Sequence, residues 1–239
     1  MSCLTCERAL LKTENHELKT FPMHLFVTGT DTEIGKTYFS AWLVRQWRQR
    51  GFHAAGIKPI SCGGTEDAEA LRAAADHELT LAEVNPIRFP SPVAPHVATL
   101  VDRMPFDWDA MNASIDSARA RFTHLAVEGV GGWLVPLDGK KLVRDWAVEM
   151  KLPALIVARA GLGTINHTLL TIESIERSGV PIVGIVLNAG LADPSAAAYP
   201  QAFATNAETL AGLVKYPIFV FNRVSEAKGM LPEWLATAA

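Results

Sequence analysis

The chain has 239 residues, 49% of them hydrophobic, with 22 lysines and arginines against 25 aspartates and glutamates and a net charge of −3. That length fits one large α/β domain or two small ones, and the apolar content is ample for a buried core. The slightly acidic balance argues against a nucleic-acid surface, no apolar run approaches the length of a membrane span, and three cysteines make no disulfide framework, so a reducing, cytoplasmic setting is expected.

Residues 1–22 read as a peripheral, mobile extension. They carry charge but no apolar stripe that demands a core, and they lack the long apolar centre of a secretion signal. Cys3 and Cys6 form a lone Cys-x-x-Cys without the second pair or histidines that zinc needs, so an unstructured thiol pair is expected. The remainder, 23–239, reads as a single domain.

His24 to Thr28 is an apolar run suited to a buried strand. It runs into Gly29-Thr30-Asp31-Thr32-Glu33-Ile34-Gly35-Lys36-Thr37 and then a helix. Strand, glycine-bearing turn and helix N-terminus together make a phosphate-binding loop. Backbone N–H groups and the positive end of the helix dipole converge on one anion. Lys36 reaches terminal phosphates, and the Thr37 hydroxyl suits Mg2+. The strict pattern has glycine where this chain has Thr30.

The helix from Lys36 to Arg50 shows Phe39, Trp42, Leu43 and Trp47 at three- and four-residue steps, and Gly51 ends it. Ala54 to Lys58 is a second strand, parallel to the first through a βαβ crossover, and Pro59 stops it. Lys58 therefore stands at a strand's carboxyl end, where open α/β sheets bind ligands; a solvated strand-end lysine is the competing reading. Ser61 to Gly64 reads as a flexible turn. Thr65 reads as the N-cap of a helix through Ala75, with Asp67 in its first turn, either stabilising the helix dipole or serving as a second carboxylate near Mg2+. The proline-studded stretch from Asn85 to His96 reads as a rigid extended loop rather than a helix, with His96 structural or catalytic.

Trp108 to Arg121 is an amphipathic helix. The strand from His124 to Val127 ends in Glu128-Gly129-Val130-Gly131-Gly132. Those glycines let backbone approach a phosphate, and Glu128 is placed to meet a metal; a solvated glutamate in a glycine-rich loop is the alternative. A helix follows through Met150, then an all-apolar strand from Ala154 to Ala158, a glycine loop, and a helix ending at Arg177. The next strand runs from Pro181 to Leu187 and closes on Asn188. Ala196 to Leu213 is mostly helix, and Ile218 to Phe221 a short last strand. Strands alternating with helices predict one doubly wound, mostly parallel sheet with helices on both faces, P-loop NTPase-like.

The segments Val27 to Thr37, Lys58-Pro59, Asn85-Pro86 with Pro92-x-x-Pro95-His96, Glu128-Gly-x-Gly-Gly and Gly163-Thr-Ile-Asn-His-Thr-Leu-Leu resemble those of dethiobiotin synthetase, the ATP-dependent enzyme of biotin synthesis. This family tolerates threonine at the position of Thr30. The resemblance implies ATP and Mg2+ as cofactors, and 7,8-diaminononanoate with CO2 or bicarbonate as substrates. One amine becomes a carbamate, the carbamate takes the γ-phosphoryl group, and the second amine closes a ureido ring. It implies Lys36 and Lys58 as the catalytic cations, and Thr37, Asp67 and Glu128 as metal ligands. Nucleotide contacts are implied for Glu33, Ile34, Gly35, Lys36, Thr37, Tyr38, Asp67, Glu128, Gly129, Val130, Gly131, Asn188 (reading adenine) and Pro217. Substrate contacts are implied for Lys58, Cys62, Gly163, Thr164 and Asn166. The last three would come from a neighbouring subunit, which implies a homodimer with shared active sites. Cys62 stands where the family has serine or threonine.

Two other classes stay open at this stage. Partitioning and division-site ATPases share a related fold but carry a lysine where this chain has Asp31. A homologue that kept the fold and lost the synthetase activity is the second; Lys58 argues against it and Cys62 leaves it open.

Overall fold

The computed structural model describes residues 22–190 and 198–236. The extension over 1–21, the Cys3/Cys6 pair and the segment 191–197 lie outside the described residues.

Six strands form one parallel sheet in the order β2-β5-β1-β6-β7-β8. They are β1 (Met23–Gly29), β2 (Ala54–Ile57), β5 (His124–Glu128), β6 (Ala154–Arg159), β7 (Ile182–Asn188) and β8 (Ile218–Phe221). β1 and β2 are parallel as expected, but β5 lies between them. β1, β5 and β6 are near-continuous apolar runs because helices cover the sheet on both sides. The aromatic contacts identify the two faces. Trp47 of α1 (Lys36–Gln49) meets the ring of His124 on one face, and Trp146 of α6 (Val143–Met150) meets Phe26 edge-on at 5.1 Å on the other. Met23 pairs with His124 and Val27 with Glu128 in register. His124 and Glu128 are four residues apart on one strand, so both side chains point to the α1 face.

Two expectations are corrected between residues 59 and 101. Ser61 and Cys62 are not in a flexible turn. Ile60–Cys62 is β3, paired in parallel with β4 (Ile87–Phe89) as a small second sheet. The proline-rich stretch is not all loop either: Pro95 opens α4 (Pro95–Val101), where its missing N–H costs nothing. Buried Asn85 joins these pieces. Its Nδ2 donates to the carbonyls of Lys58 (2.6 Å) and Ile87 (3.2 Å), and its Oδ1 accepts from Ser61 Oγ at 2.8 Å. The backbone after β2 is thereby fixed in direction. α2 (Glu66–Ala74) follows Thr65, which makes no side-chain cap bond. α3 (Leu81–Val84) is a short turn held by a Thr80–Glu83 capping box. α5 (Trp108–Arg121) and α7 (Thr164–Arg177) match their sequence patterns, and α8 (Pro200–Leu213), α9 (Arg223–Ala227) and α10 (Glu233–Ala236) complete the described chain.

At the amino edge of the sheet His124 is buried, stacked on Phe52 at 4.0 Å, and its Nε2 has no partner. Burial pushes its pKa down to about 4, with nearby His24 adding to the effect. The unfolded chain therefore binds more protons than the native one between the ordinary histidine value and about 4. Its contribution to stability is complete above the unfolded value and drains away as pH falls through that window. Urea unfolding at pH 7 and pH 4.5 should differ by about 2–3 kcal/mol from this residue, and His124→Phe should remove that part of the difference.

Candidate active site

The phosphate-binding loop is shaped by close approach and by left-handed backbone. A Cβ on Gly29 would lie 2.8 Å from Ile34 Cδ1 and 2.9 Å from the Asp31 carbonyl, so only glycine fits there. Thr30 can stand next to it because the crowding falls on Gly29. Gly35 caps α1 at φ 82°, and Glu33 adopts φ 53°, a conformation that costs a non-glycine residue about 1 kcal/mol. This tight turn leads straight into the N-terminus of α1, a position that favours anions. Lys36 is buried and curls back to donate to the Asp31 carbonyl at 2.9 Å. Burial pushes its pKa down to about 8, and the Lys58 charge acts in the same direction.

A cleft of about 500 Å³ opens over this loop. Lys36 and Thr37 line it from α1, Lys58 and Cys62 from the end of β2 and from β3, Asp67 from α2, and Glu128 with Val130 and Gly131 from the end of β5. Glu128 is its hub. Its Oε1 accepts from Thr37 Oγ1 at 2.6 Å and from Lys58 Nζ at 2.6 Å. Lys58 Nζ is also 3.0 Å from Asp67 Oδ2. Burial opposes the Lys58 charge, but the carboxylates of Glu128 and Asp67 outweigh it and hold the ammonium above its ordinary pKa. Asp67 also feels burial, and Lys58 more than reverses it, holding the carboxyl below its usual range. The solvated-lysine, solvated-glutamate and dipole-only readings of Lys58, Glu128 and Asp67 therefore give way to one ion-paired cluster.

A magnesium ion fits the oxygen set. Glu128 Oε2 is buried without a hydrogen-bond partner. Thr37 Oγ1 bonds the other oxygen of Glu128 and Asp67 Oδ2 meets the same Lys58 ammonium, so hard oxygen atoms of the kind a hard cation takes lie around this cluster.

Residues 23–220 match the family model described as an AAA domain. A protein of Akkermansia muciniphila named ATP-dependent dethiobiotin synthetase BioD is 42% identical over 165 residues, spanning 69% of this chain and 78% of that protein. Its namesakes from Anaeromyxobacter dehalogenans and Methanococcus vannielii are 44% and 34% identical, over 69% of this chain and 75% and 78% of their own lengths. The chain belongs to the dethiobiotin synthetase family. This synthetase-family chain shares its fold with a ParA family ATPase from Chlorobium tepidum (TM-score 0.51, 14% identity, 90% of this chain and 89% of that one). The same holds for the MinC:MinD cell division protein complex of Aquifex aeolicus (TM-score 0.52, 14% identity, 87% and 86%).

The remaining expected site residues of this synthetase-family chain fall into three groups. Tyr38 and Gly129 stay near the loop. The Tyr38 ring rests against Phe221 at 5.6 Å and its hydroxyl donates to Glu226, while Gly129 packs beneath the loop against Phe26. Asn188 is buried at the end of β7. Its Nδ2 donates to the Ile34 carbonyl at 3.1 Å and its Oδ1 accepts from the Gly190 amide at 3.1 Å, so one N–H and one lone pair of its amide brace the loop. Gly163, Thr164 and Asn166 open α7 and do not line the cleft. Thr164 is buried, and Asn166 is exposed.

Pro217 is a correction. It precedes β8 at that strand's amino end, and its carbonyl accepts from Ile185 in the middle of β7. The phosphate loop lies beyond the carboxyl ends of the strands, and Pro217 does not line its cleft. The residue that follows β8 on the correct rim is Asn222, whose Cα would lie 3.9 Å from a Cβ on Gly190, beside Tyr38. Asn222 was legible from the rule that ligands meet the carboxyl ends of parallel strands. His96 sits in the first turn of α4 and does not line the cleft.

Proposed function

We propose that the protein converts 7,8-diaminononanoate, CO2 and ATP into dethiobiotin, ADP and phosphate. The observation that carries this reading is that Lys58 is paired with both Glu128 and Asp67, and Thr37 bonded to Glu128, beside Lys36 of the phosphate loop. The reaction joins two anions, a carbamate and a triphosphate, and so depends on positive charge and positioning rather than on a protein nucleophile.

One substrate amine adds to CO2, forming a C–N bond and releasing a proton to give the carbamate. Lys58 binds the carbamate oxygens and holds them in line with the γ-phosphoryl group. A carbamate oxygen bonds to phosphorus as the bond to ADP breaks, yielding a carbamic–phosphoric anhydride. Lys36 and the amides of Glu33 to Thr37 receive the charge on the phosphates. The second amine then attacks the carbonyl carbon, and phosphate leaves as the ring closes. Thr37, Asp67 and Glu128 would hold Mg2+, which supplies positive charge to the phosphate oxygens when bound. Gly129, Val130 and Gly131 bring backbone close to the nucleotide, and Tyr38 and Asn188 bound its base side. Cys62 offers a weak donor at the substrate; burial pushes its thiol pKa up to about 11, so it stays protonated.

Gly163, Thr164 and Asn166 serve the carboxylate of a substrate held by a second copy, which makes the working unit a homodimer. Their position at a helix start outside their own chain's cleft, with Gly163 and Asn166 exposed, supports this. Among the described residues no helix is long and apolar enough to cross a membrane.

The deciding measurement is ADP release with and without the diamine and bicarbonate, with ring closure followed by product mass. Turnover that requires both substrates is expected. ATP hydrolysis indifferent to the diamine would overturn the reading.

A further inference from the structure

Lys58 and the metal ion have a claim on the same oxygens. Lys58 Nζ lies 2.6 Å from Glu128 Oε1 and 3.0 Å from Asp67 Oδ2, two of the three side chains that would hold Mg2+. Thr37, the third, donates to that same Glu128 oxygen, while the equally buried Oε2 has no partner. The Glu128 side chain has no exposed surface and that of Lys58 only 6%, so the carboxylate needs a counter-charge from within the cleft. Lys36 makes no ion pair with it: its ammonium donates to the Asp31 carbonyl, and only the longer-range field of its charge reaches Glu128 and Asp67.

A divalent ion bound to Glu128 and Asp67 would face the Lys58 ammonium at contact range, where like charges repel strongly. We propose that Lys58 is an internal counter-ion that occupies the metal ligands until the metal arrives, and that metal binding releases its ammonium to receive the carbamate. This rests on the metal-site reading given above. The consequence is a coupling between two ligands. The cation that prepares the triphosphate also unmasks the group that binds the carbamate, so the carbamate site forms only once metal is present. A carbamate held in a metal-free cleft would meet an ammonium already shared between two carboxylates.

The test uses the full chain without nucleotide and Mn2+ as the probe, followed by calorimetry and by electron paramagnetic resonance. Lys58→Met removes the competing cation and should tighten Mn2+ binding about tenfold or more, since two ligands no longer have to be freed. Lys36→Met removes a nearby charge that holds neither carboxylate, and should tighten it far less. Lys58→Gln, which keeps a hydrogen-bond donor without the charge, should behave like Lys58→Met and serves if the methionine variant folds poorly. Magnesium should also raise the melting temperature of either Lys58 variant more than that of the wild type. Mn2+ affinity unchanged by loss of Lys58, or raised equally by loss of Lys36, would overturn the proposal while leaving the metal site standing. Failure of the wild type to take up Mn2+ even with ATP present would overturn the metal-site reading itself.

Discussion

Lys58→Ala should abolish ureido-ring formation, lowering turnover by about 1000-fold or more. The carbamate loses the cation that offsets its approach to the triphosphate, while Mg2+ held by Glu128 and Asp67 would keep those two carboxylates compensated. The phosphate loop is untouched, so nucleotide binding in the presence of Mg2+ should persist. Single-turnover mass analysis of product together with a nucleotide titration separates the two effects. A rate close to wild type would remove Lys58 from the chemistry.

Glu128→Gln should raise the Mg2+ concentration needed for half-maximal activity by about 10- to 100-fold or more. The amide keeps the shape of the side chain but carries no charge for the ion. It also weakens the bonds that Oε1 accepts from Thr37 and Lys58. Asp67 remains beside the ammonium, so the cost to folding should stay near 1–3 kcal/mol. A metal titration of activity, paired with urea unfolding, checks both figures. An unchanged titration would take Glu128 out of the metal site.

The long elements were legible because their patterns are long. β1 with its glycine-bearing turn, α1 with Trp42 and Trp47 on one stripe, and the apolar runs of β6 and β7 each carry enough residues for a period to show. β3 and β4 were not legible. Each has three residues bounded by proline or glycine, and they are strands only because they pair with each other. Asn85, which ties them to Lys58, drew notice only as part of an Asn-Pro pair, since nothing local says that a buried amide will bridge three segments. Pro217 was misplaced because a motif resemblance does not say which end of a four-residue strand a proline will occupy.

From the residue order alone come the phosphate loop, with Lys36 and Thr37 at its mouth, and the strand-end positions of Lys58, Glu128 and Asn188. These are local matters of spacing, helix start and strand termination. That Lys58 and Thr37 meet on one oxygen of Glu128, with Asp67 on the far side of the Lys58 ammonium, is a property of the folded chain. It follows from β5 lying between β1 and β2 in parallel register, which turns Glu128 to the α1 face, and pairing between distant segments leaves no periodic trace in the sequence.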